Sequence, residues 1–475
     1  MKELIETTPE MNLSTQDIEL LIPELQQYHA IYSPLFGRRE QREQSEQYLN
    51  GLLLDIESKS IEAMLLALVG DDPNAIRATQ QFISQGAWCD EVILKRHWQE
   101  VDQDLGEENG VLITDGSDFH KQGQESVGVK RQWCGELGKK ANCQAGVFLG
   151  YASSKGYSLL AHRLYLPKEW VNDEAYAQRR QKCGIPEDIE FKTRPALSLE
   201  MIQAVHAAGT LRYRWLTCDE AFGRDTAFLD SVGELLWYYA EVPHDTQVWL
   251  ERPATAVPDW SGRGRKPTRE RLRAGEPTPQ TVTAIADTLP ANAWSRHIIK
   301  EGEKGPIVAD FAILRVIATR DGLPGPEVWL VFRRDIITSE LKCYLCNAPT
   351  DTSLETLVWL SGMRWPIETC FEEGKQYIGM GDYQVRSWIG WHHHMTLIIL
   401  AHFFLVRTKL KLKDMAPALT LPQVVLLLRV VLPKREFNAQ WALEVLNYRQ
   451  RRNHTACLSH HKRRLASLHQ LEVSL

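Results

Sequence analysis

The sequence predicts a mixed α/β core, interrupted by a β-rich insertion and flanked by helical ends. Three observations point there. Helical periodicity dominates before residue 105, short apolar runs separated by glycines begin at Val111, and long helical patterns return from Leu354. At 475 residues, 44% hydrophobic and 24% charged, the chain is long enough for more than one core.

Residues 1–105 are expected to form an α-helical N-terminal lobe. Ser14-Thr15-Gln16-Asp17 is a capping-box start, and Gly51 to Leu68 places apolar residues at helical spacing. The stretch from Pro73 to Leu105, broken at Gly70 to Asp72 and at Gly86, suits either a helix-turn-helix DNA reader or a plain helical bundle.

From Val111 the pattern becomes extended: Val111 to Thr114, Ser126 to Trp133, Asn142 to Tyr151, and a further run to Leu166. A helical pattern follows at Ser198 to Ala208, then a strand at Arg212 to Thr217, a helix at Asp225 to Leu236 and a strand at Trp237 to Glu241 that resumes at Gln247 to Leu250. Three strands followed by helix, strand, helix, strand is the order of a ribonuclease-H-like α/β core.

Residues 253–292 break that alternation with Pro, Gly and Arg, and read as an exposed basic loop centred on Ser261 to Arg269. Strand-like runs at Ile307 to Thr319, Val328 to Phe332 and Lys342 to Cys346 predict a small sheet belonging to the insertion itself. Trp294 and Trp329 within it suit either burial in that sheet or stacking on an unpaired base. Helices are expected at Leu354 to Met363, Ile367 to Ile378 and Leu397 to Val406, with a helical C-terminal third.

The formal net charge of −6 argues mildly against a protein that coats nucleic acid indiscriminately, but the charge is unevenly placed. Acids cluster at Glu3, Glu6, Glu10, Asp17, Glu19 and Glu24, whereas the tail carries Arg449, Arg451, Arg452, Lys462, Arg463 and Arg464. Nine cysteines without framework spacing, and a start without a signal-like pattern, predict a reduced cytosolic protein. The pair Cys343 and Cys346 has no second pair to complete a zinc site and reads as strand residues. The apolar run Met395 to Val406 is about half a bilayer span, so no membrane role is expected. His392, His393 and His394 point in different directions on a helix and read as a polar face.

With 61 acidic residues, an Asp, Asp, Glu triple has no weight by itself; position decides. Asp115 follows the apolar strand Val-Leu-Ile-Thr, Asp219 ends Tyr-Arg-Trp-Leu-Thr-Cys, and Glu368 lies in the first turn of a helix begun near Pro366. Carboxylates at neighbouring element ends suit phosphodiester chemistry, in which two hard cations about 3.5–4 Å apart serve the attacking and leaving oxygens. Asp118 competes with Asp115, and Glu372 with Glu368. Arg364 precedes Glu368 by four residues and Lys375 follows it by seven, which suits either an ion-pair cluster or a grip on backbone phosphates.

Asp-Gly-Ser-Asp-Phe-His-Lys-Gln-Gly from Asp115, the run Ser126 to Gln144, Leu-Tyr-Leu-Pro at Leu164 to Pro167 and Asp219-Glu-Ala-Phe-Gly223 together resemble DDE-type bacterial insertion-sequence transposases. Arg-Trp-Pro-Ile-Glu with Lys375 seven residues on resembles their Tyr-Arg-Glu-Lys branch, of the IS-seven-hundred-one-like kind. The similarity runs from about residue 25 to 410, with Ser361 standing where that branch has its tyrosine.

The resemblance implies Asp115, Asp219 and Glu368 as catalytic ligands of Mg2+, with Mn2+ as a substitute, and it favours them over Asp118 and Glu372. It implies Arg364 and Lys375 as contacts to transposon-end DNA; Lys121 is a further expected DNA contact, and the basic-loop residues Arg263, Arg265, Lys266 and Arg269 are expected to grip DNA through their charge. The expected partners are inverted-repeat end DNA, target DNA and a second copy of the chain, in a bacterial cytoplasm at the nucleoid. The expected division is an N-terminal lobe over 1–105 that binds DNA, core over 106–250, insertion over 251–350, core with the glutamate helix over 351–412, and a basic helical region over 413–475.

Overall fold

The computed structural model describes residues 11–260, 262, 265–302, 305–435 and 438–473. The chain folds as two compact units, Met1–Cys89 with Glu373–Leu475, and Asp90–Glu372.

The first unit is helical. At Ser14 the hydroxyl accepts from the Asp17 backbone while the Asp17 carboxylate accepts from the Ser14 backbone, the capping box the sequence predicts. Helices Leu21–Tyr32, Arg39–Leu53 and Pro73–Gln85 pack on the long helix Trp388–Lys411. Tyr28 donates from its hydroxyl to the Leu400 carbonyl over 2.9 Å and lays its ring against Phe404. The long helix has 24 residues and an 18-residue stretch with a mean hydropathy of 1.3, enough by length and composition to cross a membrane and longer than the apolar run Met395 to Val406 suggests. Burial of 94% of its apolar window makes it the core of this unit.

The three adjacent histidines correct an expectation. His392, His393 and His394 are buried rather than a polar surface face. The His393 ring stacks on Trp88 at 3.5 Å and its nitrogens reach the Ile83 and Trp88 carbonyls, while His394 Nδ1 lies 2.8 Å from the Tyr48 hydroxyl. Their divergent directions hold as expected, because each ring meets a different partner.

The second unit is built on a sheet. Its strands are β1 Val111–His120, β2 Lys130–Cys134, β3 Lys139–Ala152, β4 Tyr157–Tyr165, β5 Trp215–Cys218, β6 Trp237–Val242 and β7 Gln247–Trp249. They continue with β8 Thr255–Ala256, β9 Arg271–Leu272, β10 Gln280–Thr281, β11 Ser295–Gly302, β12 Gly305–Arg320, β13 Leu323–Asp335 and β14 Leu341–Cys346. Among the described residues twelve of these form one sheet, in the order β10-β7-β12-β13-β14-β6-β5-β1-β3-β2, with β4 also on β3 and β11 on β12. Strand β1 runs antiparallel to β3 and parallel to β5, and β5 runs parallel to β6.

The long insertion strands β11 to β14 do not form a sheet of their own as expected, and only β8 and β9, among the described residues, pair apart from the large sheet. Strand β14 pairs antiparallel with β6, so the insertion strands extend the core sheet and cover an edge that would otherwise offer unpaired backbone groups. Cys343 and Cys346 are buried strand residues of β14.

Helices Asp90–Leu105 and Arg194–Ala208 pack on β4, the former fixed by Trp98, which donates to the Leu160 carbonyl over 2.9 Å. Thus the two helices read as one candidate DNA-reading pair fall in different units, Pro73–Gln85 in the helical one and Asp90–Leu105 in the sheet one. Ser198 donates to Thr114 over 2.7 Å, fixing helix Arg194–Ala208 against β1 one residue before Asp115.

Candidate active site

The parallel register of β1 and β5 brings the two aspartates together. Thr114 is paired with Cys218, and the next residue in each strand direction is Asp115 and Asp219. Asp219 also caps the short helix Glu220–Gly223, its Oδ1 accepting from the backbones of Ala221 at 3.1 Å and Phe222 at 3.3 Å. Asp115 accepts from the Gly116 backbone over 2.7 Å.

Glu368 lies in the first turn of helix Trp365–Tyr377. Arg364, just before that helix, joins it to the sheet: Nη1 donates to Asp115 Oδ2 over 3.0 Å, and Nη2 lies 2.5 Å from Glu368 Oε1. Ile367 packs against Gly150 of β3 closely enough that an added Cβ would stand 3.3 Å from it, and Phe371 meets Phe148 edge to face. Small and aromatic residues of β3 therefore set how the glutamate helix approaches the sheet.

The electrostatics are those of acids crowded out of water. Burial and the neighbouring Asp219 push the Asp115 carboxyl up to about 7, although Arg364 and the Gly116 N–H oppose the shift. Burial likewise raises Asp219 against the pull of Arg364 and its capping N–H groups. For Arg364 burial is outweighed by Asp115, Glu368, Glu241 and Asp219, which hold the guanidinium above its ordinary value.

The competing acids sit differently. Asp118 Oδ2 accepts from the Gly135 backbone over 2.7 Å, and its other oxygen lies 3.7 Å from Arg194, so it braces a turn beyond the site. Glu372 is exposed and lines the same cleft as Arg364. Ser361 is buried, its hydroxyl donating to the Val358 carbonyl over 2.7 Å.

That cleft, of about 750 Å3, was not foreseen from sequence. Lys300, Arg333 and Lys342 of the insertion strands line it together with Glu241, Arg364 and Trp365. Trp365 is 56% exposed with the Lys300 ammonium over its ring, whereas Trp294 and Trp329 are half-buried with Arg334 and Arg315 over their rings. The signal for Trp365 lay inside the Arg-Trp-Pro-Ile-Glu string itself.

The remaining expected DNA contacts are dispersed. Lys375 occupies the last turn of the glutamate helix, within the helical unit. Lys121 follows β1 directly, its backbone paired with Asn142. Arg265, Lys266 and Arg269 are exposed, outside helices and strands, and without ion-pair partners among the described residues; Arg263 lies outside those residues.

Asp115, Asp219 and Glu368 offer hard oxygen donors of the kind divalent cations such as Mg2+ prefer, and burial, joined at Asp115 by the charge of Asp219, raises the two aspartates. Among the described residues no three His, Cys, Asp or Glu side chains close on one ion position, and the guanidinium of Arg364 bridges Asp115 and Glu368. The donor set fits a hard cation in chemistry.

A search of curated proteins found no match. Among solved structures, the chain is similar to a piggyBac transposase, seen by cryo-EM in a synaptic complex with hairpin DNA, at 10% identity over 91% of this chain and 84% of that one, with a TM-score of 0.37. That likeness carries no inference about this chain. The model of a family described as DDE superfamily endonuclease matches residues 32–306, more than half the chain and a span that includes Asp115 and Asp219. The chain belongs to the DDE superfamily of endonucleases.

Proposed function

We propose that the protein is a DNA transposase that cuts the ends of a mobile element and joins them to target DNA. The observation that carries this reading is the register of β1 and β5, which sets Asp115 beside Asp219, together with the Arg364 link from Asp115 to Glu368. The order β4-β3-β1-β5-β6, with β1 antiparallel to β3 and parallel to β5, supports a ribonuclease-H-like core.

A pair of divalent cations, Mg2+ or Mn2+, supplies activation of the attacking oxygen and stabilisation of the leaving one in such chemistry. Asp115, Asp219 and Glu368 are the residues proposed to hold it. Arg364 orders two of those acids and is proposed to contact a DNA phosphate, as are Lys375, Lys121, Arg263, Arg265, Lys266 and Arg269. Arg265, Lys266 and Arg269, exposed and without ion-pair partners among the described residues, support a backbone grip.

The finer reading places the chain in the Tyr-Arg-Glu-Lys branch of insertion-sequence transposases, of the IS-seven-hundred-one-like kind. Its substrates are then inverted-repeat ends and target DNA, handled by a homodimer at the bacterial nucleoid in the cytoplasm. The N-terminal lobe over 1–105 is proposed as a DNA-binding region, the core as 106–250 with 351–412, the insertion as 251–350 and the basic C-terminal region as 413–475.

Strand transfer tests this reading. Purified protein, Mg2+, a pre-cut element end and a supercoiled plasmid should yield joined products; cleavage without joining would instead mark a nuclease on the same core.

A further inference from the structure

The basic tail has no part in the chemistry above. It belongs to helix Ala439–Val473, 35 residues long, in the helical unit. The start of that helix is anchored. Trp441, Val445 and Tyr448 are half-buried, Glu444 pairs with Arg435 over 2.6 Å, and Arg451 and Arg452 pair with Asp71 and Glu62. From Arg449 to Leu468, by contrast, every residue is exposed. A helix with nothing packed on it is marginal in water at this length. From Val445 to Leu471 the sequence holds no acid, so no pair along the helix offsets Arg449, Arg451, Arg452, Lys462, Arg463 and Arg464.

Helical spacing sorts these cations. Arg449, Asn453, Ala456, His460, Arg463 and Ser467 follow at i, i+4, i+7, i+11, i+14 and i+18 and share one face, with Arg464 at its border. Leu458, Leu465 and Leu468 fall on the other side. Arg449, Arg463 and Arg464 have no ion-pair partner among the described residues. At about 1.5 Å per residue, Arg449 and Arg463 stand about 21 Å apart along the axis. The major groove of B-DNA is about 12 Å wide and admits an α-helix. A helix crossing it sets Arg449 against one wall of phosphates and Arg463 with Arg464 against the other, while the small Ala456 between them allows a close approach.

We propose that this face of the tail helix is a separate DNA-docking surface, seated in the major groove of a duplex and held by phosphate contacts from Arg449, Arg463 and Arg464. The inference rests on the transposase reading only in taking DNA as the partner, and needs neither the carboxylate trio nor the basic loop. A membrane surface suits the helix less, because residues 449–473 include no Trp, Tyr or Phe and the leucine side is interrupted by His454 and His461.

Fluorescence anisotropy of the full-length protein on a mixed-sequence duplex of about three helical turns, at several salt concentrations, reads these contacts. Arg449→Ala/Arg463→Ala/Arg464→Ala should bind at least tenfold more weakly, with a logarithmic salt slope lower by about 2–3. Lys462→Ala, off that face, should bind within twofold of the native protein. Native affinity and slope in the triple variant overturn the tail surface and leave the transposase reading standing, whereas a native protein that binds no duplex even at low salt overturns both. A loss in Lys462→Ala equal to that in Arg449→Ala overturns the proposed face. Hydrogen exchange on the native protein depends on no variant: amides from Arg449 to Leu468 should exchange quickly alone and be protected by the duplex. Protection absent with the duplex, or produced only by phosphatidylserine vesicles, overturns the proposal.

Discussion

Arg364 donates from Nη1 to Asp115 Oδ2 over 3.0 Å, joining positions 249 residues apart in the chain. Its other terminal nitrogen holds Glu368, so one guanidinium fixes both the strand acid and the helix acid. Arg364 and Asp115 are 24% and 15% exposed, which makes this a largely desolvated pair. Removing one partner of such a pair leaves the other charge uncompensated.

Arg364→Ala should therefore destabilise the sheet unit by about 2–4 kcal/mol. Arg364→Lys should recover only part of this, because an ammonium cannot serve two acids with a planar fork. Urea unfolding followed by tryptophan fluorescence checks the order of the three proteins. Equal midpoints would remove the structural role assigned to Arg364.

Gly223→Ala should cost about 1–3 kcal/mol, since the new methyl would lie 1.9 Å from the Glu241 carbonyl oxygen and the Asp219-capped turn must shift. A thermal melt measures the loss. Gly138→Ala provides the contrast: no atom lies within 4 Å of its Cβ, but its φ of 60° adds backbone strain, so its effect should come without displacement of Asp219.

The helical unit should lose stability in mild acid. Burial holds His29 and His393 at about 4, against 6.5 when exposed. Between those values the unfolded chain binds protons that the folded unit refuses. Stability from these groups is thus complete above about pH 6.5 and falls towards pH 4, by up to roughly 3 kcal/mol per histidine. Denaturant midpoints at pH 7.5 and 5 should differ more in the native sequence than in His29→Gln/His393→Gln. An equal difference in both would contradict this assignment.

Replacing Arg265, Lys266 and Arg269 together by Ala should weaken DNA binding uniformly across sequences. The logarithmic salt slope should fall by up to about 0.9 per lost phosphate contact. These side chains are exposed and pair with nothing among the described residues, so thermal stability should hardly change. Fluorescence anisotropy at several salt concentrations reads the slope; an unchanged slope would return the loop to a solvated linker.

Legibility in the sequence followed the range of the interactions. The Ser14 cap, the strand before Asp115 and the helix start near Glu368 depend on neighbouring residues, and each was visible as local pattern. The alignment of Asp115 with Asp219 depends on which strands pair and in what register, information that no single segment carries. For the same reason the insertion read as separate, although β14 closes onto β6. The three histidines looked solvent-facing because their type is polar; Trp88 and Ile83 against His393, and Tyr48 against His394, are partners distant in sequence that local pattern does not reveal.

Cleavage of an end-containing duplex by Asp115→Asn, Asp219→Asn and Glu368→Gln, each in Mg2+ and in Mn2+, tests the proposed centre most directly. Each variant should lose cleavage by at least a thousandfold while binding end DNA within a few-fold of the native protein, because only the cation ligands are altered. Native-level cleavage by any one of the three, with its fold intact, would contradict the assignment of that residue and with it the three-carboxylate centre.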